Sequence, residues 1–141
     1  TVDVAADVCT DAAGNNNAAA SQFDIRYDSS ALTLSITSAE SDPTNSSPFS
    51  ITITFSESVI NFEIGDITVG NGTASDFNSA GNPVFTADIT PSGGSVTVDV
   101  GAGIANDTLT GGKNNIAASQ FSITYDNSAP TVAITSGESQ L

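Results

Sequence analysis

Carboxylates are the chemically able side chains that this sequence holds in quantity. Sixteen acidic residues face two basic ones, Arg26 and Lys113, in 141 residues without histidine, for a formal charge of −14. The missing histidine excludes Ser-His-Asp and Cys-His nucleophilic centres and zinc sites that need imidazole. A carboxylate pair can run glycoside hydrolysis. That chemistry needs a cleft with aromatic platforms, whereas the seven Phe and two Tyr fall mostly at inward positions of alternating runs. Glycine-rich stretches such as Ser92-Gly93-Gly94 lack the lysine of a phosphate loop. The sequence therefore reads as that of a protein that is not an enzyme. Two cations cannot neutralise a nucleic-acid backbone, and the negative charge disfavours an anionic membrane surface. Two readings of the acidity stay open: solubility alone, or binding of divalent cations that offset the self-repulsion.

The carboxylates recur. Thr1-Val2-Asp3-Val4 returns as Thr97-Val98-Asp99-Val100, and Ala20-Ser21-Gln22-Phe23-Asp24-Ile25-Arg26-Tyr27-Asp28 as Ala118-Ser119-Gln120-Phe121-Ser122-Ile123-Thr124-Tyr125-Asp126. Ser30-Ala31-Leu32-Thr33 returns as Ser128-Ala129-Pro130-Thr131, and Glu40-Ser41 as Glu138-Ser139. The offset is 96 at the first block and 98 at the later ones, so two extra residues enlarge the loop at 108–113. A period of about 97 residues suits one β-sandwich module and is too long for a solenoid turn. The expected organisation is a tandem repeat: the last strands of an incomplete module at 1–28, a complete module at 29–126, and the first strand of a third at 127–141. Such a segment is expected to come from inside a larger protein. Cys9 aligns with Ala105 and reads as a small apolar residue; it has no partner for an internal disulfide.

Seven short strands are expected in the complete module, at 32–38, 49–56, 66–69, 73–77, 84–90, 95–101 and 119–125. Ile51, Ile53 and Phe55 oppose Thr52, Thr54 and Ser56; Val96, Val98 and Val100 oppose Thr97 and Asp99. That period of two, carried by β-branched residues, argues strand. Gly70-Asn71-Gly72 predicts a tight hairpin and Pro91-Ser92-Gly93-Gly94 a turn. The alanine-rich run from Ala5 to Ala20 is broken by Gly14 and three consecutive asparagines and reads as a loop. No run of about 18 apolar residues offers a membrane span.

Ile51-Thr-Ile-Thr-Phe55-Ser-Glu57, Gly65-Asp66-Ile67-Thr68-Val69, Asn71-Gly72-Thr73 and Ser119-Gln120-Phe121-Ser122-Ile123-Thr124-Tyr125-Asp126 together resemble the bacterial immunoglobulin-like repeats of giant surface proteins. So does the loop Thr10-Asp11-Ala12-Ala13-Gly14-Asn15. The resemblance covers essentially the whole chain. It implies an all-β, immunoglobulin-like, seven-stranded antiparallel β-sandwich in an extracellular stalk at the bacterial cell surface. Adjacent modules of the same array are the implied partners, and other copies of the fibre are possible ones. Ca²⁺ at module junctions is the implied cofactor. The second copy of the loop departs from the pattern: Asp11-Ala-Ala-Gly-Asn becomes Asp107-Thr-Leu-Thr-Gly-Gly-Lys113-Asn, and Lys113 adds a positive charge to the loop nominated for cation binding.

In such a sandwich the incoming linker and the loops after the second, fourth and sixth strands share one pole. Asp28, Glu57 and Asp107 fall there, with Asn106 and Asn115 able to add amide oxygens and Asp66 at the far end of one loop. Asp126 would serve the next junction as Asp28 serves this one. Ca²⁺ takes six to eight oxygens, and carboxylates without a basic neighbour favour a cation among them. The plainer alternative is that Asp28 and Asp126 favour turns and Glu57 is a wet strand end. Two further functional readings stay open: a ligand- or carbohydrate-binding adhesin module, and a self-assembling sheath or surface-layer filament.

Overall fold

The alternating runs form strands in a computed structural model of the chain, which describes residues 1–109 and 112–138. Ser139 and two residues of the enlarged loop, Thr110 and Gly111, lie outside the described residues. The chain divides into two compact units, Thr1–Ser30 and Ala31–Leu141.

The second unit carries nine strands among its described residues: β1 (Leu34–Ser38), β2 (Phe49–Phe55), β3 (Val59–Ile60), β4 (Ile67–Gly70), β5 (Gly72–Gly81), β6 (Val84–Pro91), β7 (Gly94–Val100), β8 (Asn106–Asp107) and β9 (Phe121–Tyr125). One sheet has the order β1-β2-β6-β5 and the other β4-β7-β9. These are the seven expected strands in two antiparallel layers. The inward residues of both layers interdigitate, as in other stacked sheets. Ile51, Ile53 and Phe55 from β2, Phe85, Ala87 and Ile89 from β6, and Val96, Val98 and Val100 from β7 are all buried. Phe55, Phe62 and Phe85 meet edge to face with centroids 5.0 to 5.7 Å apart, a favoured aromatic geometry. The strands β3 and β8, two residues each, pair with one another and have no periodicity that a sequence could display.

The expected hairpin at Gly70-Asn71-Gly72 is corrected. There β4 pairs with β7 and β5 with β6, so the turn carries the chain from one sheet to the other. Asn71 does take the positive φ that its signal promised, at 56°. The glycines serve close approach: a Cβ on Gly70 would lie 2.5 Å from Thr97 Oγ1, and one on Gly72 2.9 Å from the Thr90 carbonyl oxygen. Pro91-Ser92-Gly93-Gly94 likewise leads from β6 in one sheet to β7 in the other. The tight hairpin of the larger sheet is β5–β6, turning at Asn82 and Pro83, whereas β1 and β2 pair across a longer connection.

In the first unit, 5–20 is a loop as expected, closed by a bridge between Thr10 and Asn16. Val2 and Phe23 exchange backbone hydrogen bonds at 2.7 and 3.0 Å. Cys9 is exposed, whereas Ala105, at the matching position of the second unit, is fully buried. Residues 127–138 form no strand, and Val132 and Ile134 are exposed.

Candidate metal centre

Backbone contacts gather one pole of the second unit. The N–H of Val59 donates to Asn82 Oδ1 at 3.0 Å, and Asn82 Nδ2 donates to the Val59 carbonyl at 2.7 Å. Val59 in turn pairs with Asp107. The incoming chain is clamped on both sides: Ser56 N–H donates to the Thr33 carbonyl at 2.9 Å, and Ile116 N–H to the Leu32 carbonyl at 3.0 Å. Leu32, 1% exposed, plugs the end of the core there. Residues 31–33 thus enter between the loop that carries Glu57 and the loop that follows Asp107.

Asn115 shapes the second of these loops. Its Oδ1 accepts the N–H groups of Ile104 and Ala105, both at 3.0 Å, while its Nδ2 donates to the carbonyls of Gly101 at 2.7 Å and Ile116 at 2.9 Å. All the bonds an amide side chain offers at these two atoms are used internally, which is why so polar a residue can be buried. Asp107 is held by its own N–H, which donates to the Lys113 carbonyl at 3.0 Å.

Asp107 is the outlier of the unit. It is 1% exposed. Its Oδ1 accepts the Leu109 N–H at 2.9 Å, but its buried Oδ2 has no hydrogen-bond partner among the described residues. A carboxylate oxygen of Glu57 lies within 4.8 Å of a carboxylate oxygen of Asp107. Two oxygens bound to one Ca²⁺ at about 2.3–2.6 Å each stand at most about 5 Å apart, so this pair fits a shared ion. A buried carboxylate oxygen without a hydrogen-bond partner is costly, and a cation bound there would offset that cost. Gly112 belongs to the same pocket: a Cβ there would lie 2.8 Å from Asp107 Oδ1 and 2.7 Å from its carbonyl oxygen. Sequence patterns give no hint of Gly112, whose need for glycine is steric and long-range.

The other candidates make local bonds of their own. Asp66 Oδ2 accepts the Glu63 N–H at 2.9 Å and caps a short 3₁₀ turn, Ile64–Asp66. Both lone pairs of Asn115 Oδ1 are taken by the loop clasp. Asn106 bonds through its amide to Asn114 and accepts from Asn61 at 3.3 Å. Asp126 Oδ1 accepts the Ser128 N–H at 2.9 Å, and Asp28 Oδ1, in the first unit, accepts the Ser30 N–H at 2.8 Å. These two turns have the same form.

A family model described as bacterial Ig-like domain matches residues 28–125. The chain belongs to this family. No curated protein and no solved structure matches the chain. Bacterial Ig-like modules are structural or adhesion-type surface domains, typically without enzymatic activity. The matched stretch begins at Asp28, so the family's own footprint takes in the last residue before the short run that leads to Leu32. Among the described residues no helix is long and apolar enough to cross a membrane.

Proposed function

We propose that this chain is a structural segment of a long extracellular fibre on a bacterial surface, in which Ca²⁺ stiffens the junctions between successive Ig-like modules. The observation that carries the calcium reading is the buried, unpartnered Oδ2 of Asp107 beside the Glu57 carboxylate. Asp28 is the third carboxylate of the proposal. It lies four residues before Leu32, within about 14 Å of it even if the chain is fully extended. Leu32 and Thr33 are clamped between the two carboxylate-bearing loops. The array reading rests on the internal repetition and on bonds that recur at matched positions. Gln22 donates to Asp3 at 3.0 Å and Gln120 to Asp99 at 2.8 Å, an example repeated in the loops.

The function of such a site is mechanical. A linker of a few residues leaves a small interface and a free hinge between domains. A bound Ca²⁺ would supply the charge that lets three carboxylates share one point, and the linker would then be fixed to the module that follows it. A carbohydrate-binding role lacks a platform: among the described residues of the second unit, none of the exposed large apolar side chains is aromatic.

Thermal unfolding of the whole chain with and without millimolar CaCl₂ tests the proposal. Binding at a hundredfold excess over Kd adds about 2.7 kcal/mol, which in a module of this size raises Tm by roughly ten degrees or more. Asp107→Asn and Glu57→Gln should each remove most of that rise. An unchanged wild-type Tm in millimolar Ca²⁺ sinks the calcium reading.

A further inference from the structure

The registers of the second unit put the entrance of the chain and its exit at opposite ends. Leu34 pairs with Phe55, where β2 finishes, and Tyr125 pairs with Gly94, where β7 begins. Between those ends runs β6, from Val84 beside Thr54 to the Pro91–Gly94 turn that opens β7. Two parallel bridges tie the entering chain to the leaving one, Leu32 with Asn115 and Thr44 with Tyr125. At the first, Ile116 N–H donates to the Leu32 carbonyl at 3.0 Å. The second holds more bonds. Thr44 N–H donates to the Thr124 carbonyl and Asp126 N–H to the Thr44 carbonyl, both at 2.9 Å. Thr124 N–H donates to Asp42 Oδ1 at 3.0 Å. Alternate residues of a strand turn their backbone groups to opposite sides, so these bonds use the edge of β9 that its ladder with β7 leaves free. The gripping segment is itself braced. Thr44 is buried, and its hydroxyl and that of Ser46 both donate to Glu40 Oε2 at 2.9 Å. Glu40 N–H donates to Ser38 Oγ at 3.3 Å, at the end of β1.

We infer that residues 42–44 and 124–126 form a clamp against end-to-end tension on the module. A pull on the two ends of the second unit draws the entering chain and Asp126 in opposite senses along the strand direction. From the entrance, the pull reaches residues 42–44 through β1 and the sheet to which it is paired. Parallel segments drawn in opposite senses slide past one another, so their hydrogen bonds are loaded together and must break together. A hairpin pulled at its open end loses its bonds singly. To leave the module under tension, β9 must break the bonds to Asp42 and Thr44 along with its ladder to β7. The inference adds strength within a module to the stiffness proposed between modules. It takes only the direction of pull from the fibre reading, and no ion enters it.

The test stretches the whole chain by its two ends at constant load, one molecule at a time, in EDTA. The length released identifies unfolding of the second unit. Asp126→Pro removes the N–H given to Thr44 and spares the β7 ladder, and an edge strand tolerates proline. Losing one bond that must break at the barrier should speed unfolding about fivefold at a given load, since forced unfolding follows the unfolding rate. Ile89→Val is the comparator: it thins the core on β6, inside the first sheet and away from the clamp. Chemical denaturation gives the equilibrium loss of each variant. For equal loss, Asp126→Pro should speed forced unfolding clearly more than Ile89→Val. Equal acceleration overturns the inference, as does a wild-type second unit that extends without a discrete unfolding step. Should Asp126→Pro not fold, Asp42→Ala decides by the same comparison, because it deletes only the side-chain acceptor of an exposed residue. With EDTA present throughout, failure of the calcium proposal leaves this result standing, and failure of the clamp leaves the calcium melting test untouched.

Discussion

The strand pair β7–β9 and its counterpart at the start of the chain share sequence, backbone pairing and side-chain clasps, yet differ in what lies behind them. Val98 pairs with Phe121 in the second unit as Val2 pairs with Phe23 in the first. Val98 and Ile123 are 0% and 3% exposed, while Val2 and Ile25 are 63% and 70% exposed. The difference teaches which parts of this fold are local. Turn chemistry, the Asn clasp and the Gln–Asp bond recur wherever their residues recur. Burial comes from the second sheet, and only burial converts the pattern into stability at about 25 cal/mol per Å² of apolar surface.

That contrast can be broken by identical substitutions at matched positions. Ile123→Ala should cost about 2–5 kcal/mol by chemical denaturation, the usual range for emptying a core site. Ile25→Ala should stay within about 0.5 kcal/mol, as exposed changes do. Equal effects would mean that the first unit buries its strand as the second does. The Asn clasp should give the next largest difference. Asn115→Ala strands the Ile104 and Ala105 N–H groups, the latter in a fully buried residue, and should cost about 3 kcal/mol, since a buried donor left unsatisfied costs about 1–3 kcal/mol. Asn17→Ala frees the same groups in exposed residues where water replaces the lost acceptor, and should cost under about 1 kcal/mol. Hydrogen exchange at residues 104 and 105, set against 8 and 9, reads both changes without requiring global unfolding.

The alternation of Ile51, Ile53 and Phe55 and of Val96, Val98 and Val100 was enough to place most of the core, because a period of two on a pleated strand leaves one face to bury. The pairing of β3 with β8 was not legible, since two residues carry no period. The Gly70-Asn71-Gly72 turn was legible as a turn but not as a crossing, because turn chemistry sets the local φ and says nothing about which sheet the next strand joins. At the site, Glu57 and Asp107 were readable from type and position. The local bonds of Asp66, Asn106 and Asn115 were not, because a polar side chain does not reveal which neighbouring groups it meets. Gly112 was invisible for a related reason: its demand comes from Asp107, five residues away in sequence and folded back upon it.

The smallest effect expected is also the most local. Asp11 has its pKa lowered by donors within its own turn, chiefly the Asn15 amide. A carboxyl depressed in the folded state favours folding at pH values above its unfolded pKa of about 3.9, and that contribution fades as pH falls through the lower folded value. The side chain is fully exposed, so the effect should appear in the loop and not in global stability. Carboxyl carbon chemical shifts followed by NMR from pH 6 to pH 2 should give Asp11 a midpoint below that of an ordinary aspartate. Asn15→Ala should move the midpoint back towards the ordinary value, because the largest donor is gone. A midpoint for Asp11 that ignores Asn15→Ala would show that the short loop does not cap its own aspartate.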